Sequence, residues 1–289
     1  MSTERILTRK RLEAYRERTF RYSPKLRVRT LEQAIDFTNE RGFLFFWPNK
    51  GYELPSMWCA VAGNRPVPND HDDPAQITWS WKDSMLGKKR WYYARILCRR
   101  NTLISIELLP CFYALSPNYG TPEEDYLIEY EQGNLTQEEK VVYETLLDKG
   151  PLNTLALRKE AHLSSSENST RFNRALDNLQ RDFRVLPVGI AEAGAWHYAF
   201  VYDVVHRSFP ELIGQSHAIK KSEAMSRILD AYFLSVGAAR FSETCKILRW
   251  PREDLQKALE KMTGAGTLLD QVTLEGLNDY SFCHRKLFA

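Results

Sequence analysis

Between Asn168 and Phe183 the apolar residues fall at Phe172, Ala175, Leu176 and Leu179, a three-to-four spacing that places them on one face of a helix. Upstream, Thr136 with Glu139 three residues later marks the start of a helix, "TQEEKVVYETLLDKG", which Gly150 and Pro151 end. A shorter helix, "NTLALRKEAHL", and the turn Ser164 to Ser166 lie between the two. Downstream the period drops to two in "RVLPVGIA" and "AWHYAFVYDVV", which read as strands joined across the Gly194 turn. Three helices followed by a β-hairpin is the order of a winged helix-turn-helix.

The scheme recurs towards the end of the chain. "SEAMSRILDAYFLSVG", "FSETCKILRW" and "PREDLQKALEKMTGAG" read as three helices, the last with Pro251 at its start, and "TLLDQVTL" with "DYSFCHRKLF" supplies a wing. A modified copy fits from Leu31 to Leu115, with "LEQAIDFTNERG" as its first helix and "FLFFW" as a strand. The expected fold is mainly α with small β-hairpins (α+β), built of tandem winged helix-turn-helix units. The expected boundaries are a basic N-terminal segment over 1–30, a modified first unit with the candidate active site over 31–120, and further units over 121–215 and 216–289.

Composition narrows the classes. The 289 residues are 43% hydrophobic and 27% charged, as in an ordinary soluble globular protein. No apolar run is long enough to span a bilayer, and the N-terminal residues lack the apolar centre of a secretion signal, so a cytoplasmic protein is expected. Cys59, Cys98, Cys111, Cys245 and Cys283 are odd in number and widely spaced, which suits free thiols better than disulfides or a metal site. The net charge of +3 is unevenly spread. Arg5 to Arg29 is basic, as is the set Lys88, Lys89, Arg90, Arg95, Arg99 and Arg100, while Pro122 to Glu139 is acidic. Segregation of this kind suits one face presented to a polyanion, although a solvated helix face gives the same pattern. On the candidate recognition helix of the middle unit, Arg171, Arg174, Gln180, Arg181 and Arg184 occupy the polar side or its end. The corresponding helix of the last unit is mixed in charge, and protein scaffolds also use this fold.

With the elements in place, particular strings resemble a known family. "DKGPLNTLALRK", "FNRALDNLQRDFRVLPVG" and "YAFVYDVVHRSFPEL" are similar to the middle winged helix of the AlkZ and YcaQ superfamily, and "YFLSVGAARFSETCKILRWPREDLQKALEKMTGAGTL" to the one that follows. "WYYARILCRRNTLISIELLP" resembles a further family segment that leads to Leu-Pro. The resemblance implies a bacterial, nucleoid-associated DNA glycosylase of tandem winged helices, acting as a monomer without metal or other cofactor. Its implied partner is double-stranded DNA carrying an alkylated, cross-linked or otherwise bulky base. Two departures stand out. The family's catalytic polar pair follows a Gly at the end of the first helix, and here the matching string "GFLFFW" puts Phe45 and Trp47 at those positions. The chain also ends soon after its last wing, where the family continues into a β-barrel.

Breaking a glycosidic bond develops positive charge on the sugar and needs a nearby carboxylate or a positioned water, with a surface for the extruded base. The candidate acids are Glu53, Asp72, Asp73 and Asp83, and the candidate stacking surfaces are Trp47, Trp79 and Trp81. Glu53 could instead cap the helix suggested by "PSMWCAVAG", and "NDHDDP" could be a loop whose acids bind their own backbone. His71, Asp72 and Asp73 lack the usual spacing of metal ligands. "TWSWKD" alternates like an edge strand, with Trp79 and Trp81 on one side. Lys82 could form a Schiff base with the sugar only if burial kept its amine neutral, which Asp83 beside it opposes. Lys50, Lys82, Lys88, Lys89, Arg90, Arg99, Arg100, Arg171 and Arg174 are the expected DNA-binding residues. The alternative from another class is a non-catalytic DNA-binding regulator or damage sensor.

Overall fold

Two threonines start the first two long helices. Thr8 accepts the Arg11 N–H at the head of α1 (Arg9–Thr19), and Thr30 that of Gln33 at the head of α2 (Leu31–Arg41), each satisfying a donor the helix leaves open. The computed structural model describes residues 5–68, 72–118, 120–194, 196–276 and 279–288. Gly42 stops α2 at φ +75°, where a Cβ would press on Leu108 and Ala231, so glycine answers both the backbone and the packing.

A short strand, β1 (Arg5–Leu7), precedes α1. After Gly42 come β2 (Phe43–Phe45), α3 (Met57–Ala62), α4 (Ile77–Ser84) and the hairpin β3 (Tyr92–Arg95) and β4 (Asn101–Ile104). Next, α5 (Leu109–Tyr113) and α6 (Pro122–Glu131) lead to α7 (Gln137–Lys149), which opens with the capping box expected at Thr136 and Glu139. The unit continues through β5 (Leu152–Asn153), α8 (Thr154–Glu160), α9 (Ser169–Arg181), β6 (Val185–Ala191) and β7 (Ala199–Val204). Then α10 (Val205–Ser208) and α11 (Leu212–His217) connect to α12 (Lys221–Val236), β8 (Ala238–Ala239), α13 (Phe241–Leu248), α14 (Arg252–Gly264), β9 (Leu268–Leu274) and β10 (Tyr280–His284).

The sheets repeat one design. In each, the strand after a first helix pairs antiparallel with the second strand of the hairpin, giving the orders β2-β4-β3, β5-β7-β6 and β8-β10-β9. The path helix, strand, helix, helix, hairpin therefore occurs three times, and the chain is an α+β fold with small sheets. Beside cores of their own, such as that of Val142, Phe172 and Leu179 in the middle unit, the units share a common one. One apolar cluster joins Phe43 and Phe45 to Phe112, Phe183, Phe233 and Leu259.

The basic N-terminal segment has a structural task. β1 adds to the last sheet as a parallel partner of β9. Arg11 donates to the Leu287 carbonyl, and Arg16 to the carbonyls of Val236 and Ala238. Cations that the sequence offers to a polyanion are in part holding carbonyls at the far end of the fold.

On α10, beside α6, His206 is half-buried, with Glu123 Oε1 3.5 Å from its Nε2 and with Asp203 and Arg207 close by. Burial, only partly opposed by Glu123, holds its pKa below the ordinary histidine value. The unfolded chain therefore takes up a proton as the pH falls through about 6.5 while the folded chain does not, and stability falls as the pH drops below that point. Urea midpoints at mildly acidic and neutral pH should differ, and the difference should shrink in His206→Gln.

Candidate functional site

β2 sorts its side chains by alternation. Phe43 and Phe45 enter the large shared core, Leu44 and Phe46 the core of the first unit. Trp47, just past the strand, is half-buried between Trp58 at 5.2 Å and Trp79 at 5.9 Å. Trp79 stands on α4, a helix where the sequence pattern suggests an edge strand. Asp73 caps the turn Pro74–Gln76, which runs directly into α4 and fixes the helical start. The change of period separates two residues expected to share a side. At 100° per residue Trp79 and Trp81 diverge, Trp79 remaining 38% exposed and Trp81 sinking to 8% in the core. Trp81 is thus a packing residue, not a stacking surface.

Helical spacing brings a different set together. Lys82 and Asp83 follow Trp79 by three and four residues and share its face. The Lys82 side chain is 1% exposed and pairs with Asp83. Its Nζ donates to the Tyr198 hydroxyl at 2.8 Å, and that hydroxyl donates to Asp83 Oδ1 at 3.0 Å. The ammonium lies 4.5 Å from the ring centres of Trp79 and Phe200 and 5.5 Å from those of Tyr93 and Tyr198, an aromatic box suited to a cation. Burial lowers the Lys82 pKa, and the hydrogen bond and charge of Asp83 oppose the shift. Burial also raises the Tyr198 hydroxyl, with Asp83 adding to the effect. An amine enclosed in this way cannot reach a DNA phosphate, so Lys82 leaves the expected DNA-binding set.

Of the other acids, Glu53 is exposed and pairs with Arg16 at 3.0 Å, while Ser56 caps α3 in its place. Asp73 accepts from Ala75 N–H and pairs with Arg65 at 2.7 Å, which lowers its pKa. Asp72 is exposed on the preceding turn, and His71 lies outside the described residues. Neither Glu53 nor Asp73 shares a hydrogen bond with the Trp79 group among the described residues. Only Asp83 does.

The cations divide similarly. Arg90 pairs with Glu32 at 3.0 Å, Lys89 lies 3.7 Å from Glu211, and Arg171 lies 3.5 Å from Glu138. Lys50, Lys88, Arg99, Arg100 and Arg174 are exposed and make no ion pair among the described residues. Phe46 N–H donates to the Asn101 carbonyl at 2.8 Å, so the Arg99–Arg100 turn lies beside the Trp47–Lys50 turn. On α9, Asp177 pairs with Arg95 of β3 at 2.7 Å, so this side of the helix packs on the first unit while Arg171 and Arg174 remain exposed.

Tyr93, Tyr198 and Phe200 are the members of the site that sequence reasoning missed, the last two where the chain enters β7. For these two the signal was present as aromatics at every second position of "WHYAFVY", a strand face that needs a large apolar partner. Among the described residues no cluster of His, Cys, Asp or Glu could hold a metal, and no helix is long and apolar enough to cross a membrane.

Repeated three-helix units with small hairpins, basic turns and an aromatic site at their junction define an α+β protein of a recognisable kind. Residues 28–249 match the family model described as AlkZ related, and the chain belongs to that family. Among solved structures it is similar to the Streptomyces sahachiroi DNA glycosylase AlkZ, with a TM-score of 0.59 and 14% identity over 98% of this chain and 72% of that one. No curated protein matches the chain.

Proposed function

We propose that the protein binds duplex DNA through three winged helices, extrudes a modified base against Trp47 and Trp79, and hydrolyses its N-glycosidic bond. The observation that carries this reading is the placement of Asp83 on the same helix face as the partly exposed Trp79, its Oδ1 held by Tyr198. The carboxylate stabilises the cationic sugar and activates a water. That water adds to the anomeric carbon as the bond to the base breaks, its proton passes to the departing base, and an abasic sugar remains. Stacking on the two indoles contributes roughly 1 to 3 kcal/mol per ring to holding the base. Alkylated, cross-linked and otherwise bulky bases are the substrate class, since the Trp47 side chain, at one position of the family's polar pair, reshapes the site. Membership of the AlkZ-related family and likeness to a DNA glycosylase support the reading. No cofactor enters it.

A second reading rests on a specific observation. Phe45 is wholly buried, so the position that carries a polar side chain in relatives contributes only to packing here. The protein would then be a DNA-binding regulator or damage sensor. Duplexes that each carry one alkylated, cross-linked or bulky base, incubated with the protein and cleaved with alkali at abasic sites, decide between the two. Strand breaks are expected. Salt-dependent duplex binding with no breaks on any substrate would leave the sensor reading alone standing.

A further inference from the structure

The β3–β4 turn of the first unit does not project into solvent. Cys98 Sγ lies 3.3 Å from the Lys246 carbonyl and 3.6 Å from that of Ile247, which clamps the turn against the end of α13. Arg99 and Arg249, on the two clamped turns, both adopt φ +56°, a backbone region that non-glycine residues seldom occupy. Between them opens a trench. A cavity of about 230 Å³ bordered by Arg99, Arg181 and Arg249 meets one of about 770 Å³ bordered by Lys220 and Lys221, and Leu115, Ser116, Pro117 and Trp250 line both.

The charge along the trench is one-sided. Five cations face two carboxylates, and each carboxylate is engaged: Asp182 by Arg181 at 2.5 Å and Asp254 by Lys221 at 2.7 Å. Arg99, Arg249 and Lys220 make no ion pair among the described residues. An indole on an apolar floor with unpaired cations at the rims matches one kind of ligand. Bases present their faces to an indole only when unpaired, and the cations then track the backbone phosphates.

We infer that the Trp250 trench binds a short single-stranded segment of DNA. Arg99 borders this trench, and its turn lies beside the Trp47–Lys50 turn. The inference rests on the reading of the chain as a DNA-binding protein and is independent of whether it cleaves a glycosidic bond.

Fluorescence anisotropy of the full chain with labelled oligothymidylate and with an undamaged duplex, across a salt series, tests it. The parent should bind both. Trp250→Ala should weaken oligothymidylate binding by about 5- to 100-fold, the range that loss of a stacking surface implies, while duplex affinity stays within about threefold. Trp250→Phe should restore most of the loss, and Arg249→Ser should lower the salt slope for oligothymidylate. Oligothymidylate binding unchanged in Trp250→Ala and Arg249→Ser overturns the inference. So does a parent that binds duplex but no oligothymidylate. A parent that binds neither removes the trench proposal and the DNA-binding reading together.

Discussion

Asp83→Asn is expected to slow release of a modified base by about 10²- to 10⁴-fold, the usual worth of a positioned acid or base. Asn has nearly the same shape as Asp, so Tyr198 can still donate to its Oδ1, and duplex affinity should stay within about threefold because the phosphate contacts that position the protein are untouched. What disappears is the negative charge that faces the developing cation on the sugar and pairs with Lys82, so the rate is read on protein that circular dichroism shows to be folded. Single-turnover rates on a duplex with one alkylated base provide the measurement. Glu53→Gln serves as the comparison, since Glu53 sits apart in a surface pair with Arg16 and its loss should change the rate little. An Asp83→Asn rate equal to the parent's would remove Asp83 from the mechanism, and a large loss in Glu53→Gln would relocate the site.

Lys82→Ala should destabilise the fold by about 3 kcal/mol, because it leaves the half-buried Asp83 charged and uncompensated and empties the space the Lys82 side chain fills. An exposed pair would contribute about 0 to 1 kcal/mol, so the size of the effect distinguishes an enclosed ammonium from a surface one. The aromatic box adds to the loss, since Trp79, Phe200 and Tyr93 all pack about the amine. Lys82→Met fills most of the same space without the charge and should cost less than Lys82→Ala. Urea unfolding monitored by circular dichroism measures both. A Lys82→Ala midpoint indistinguishable from the parent's would show that the box contributes nothing to stability.

The three-fold repetition was legible because its signals are local. Caps such as Thr136 with Glu139, the spacing of Phe172, Ala175, Leu176 and Leu179, and the alternation of the hairpins each depend on a few neighbouring residues. The strand in "FLFFW" was legible for the same reason. "TWSWKD" misled because six residues fit both periods, and the deciding influence, the Asp73 cap and the turn after it, lies upstream. The site itself was hidden by distance along the chain. Lys82 and Tyr198 are 116 residues apart, and no local pattern says that a hairpin of the second unit will close over a helix of the first. The sequence therefore named Trp79 and Asp83 as separate candidates, without the helix face they share, beside Trp81, Glu53 and Asp73, which serve packing, a surface ion pair and a cap.

The pairing of β1 with β9 has a consequence for the newborn chain. Arg9 N–H reaches the Glu275 carboxylate across a sequence separation of 266 residues, so a segment finds its place on one made much later. While the ribosome works through the intervening units, that strand edge and the arginines behind it stand open. Contacts of such separation form slowly, because a long loop must close before they gain anything. The last hairpin acts as a late clasp, and its own synthesis, not collapse of the early units, sets the moment at which the basic segment is secured.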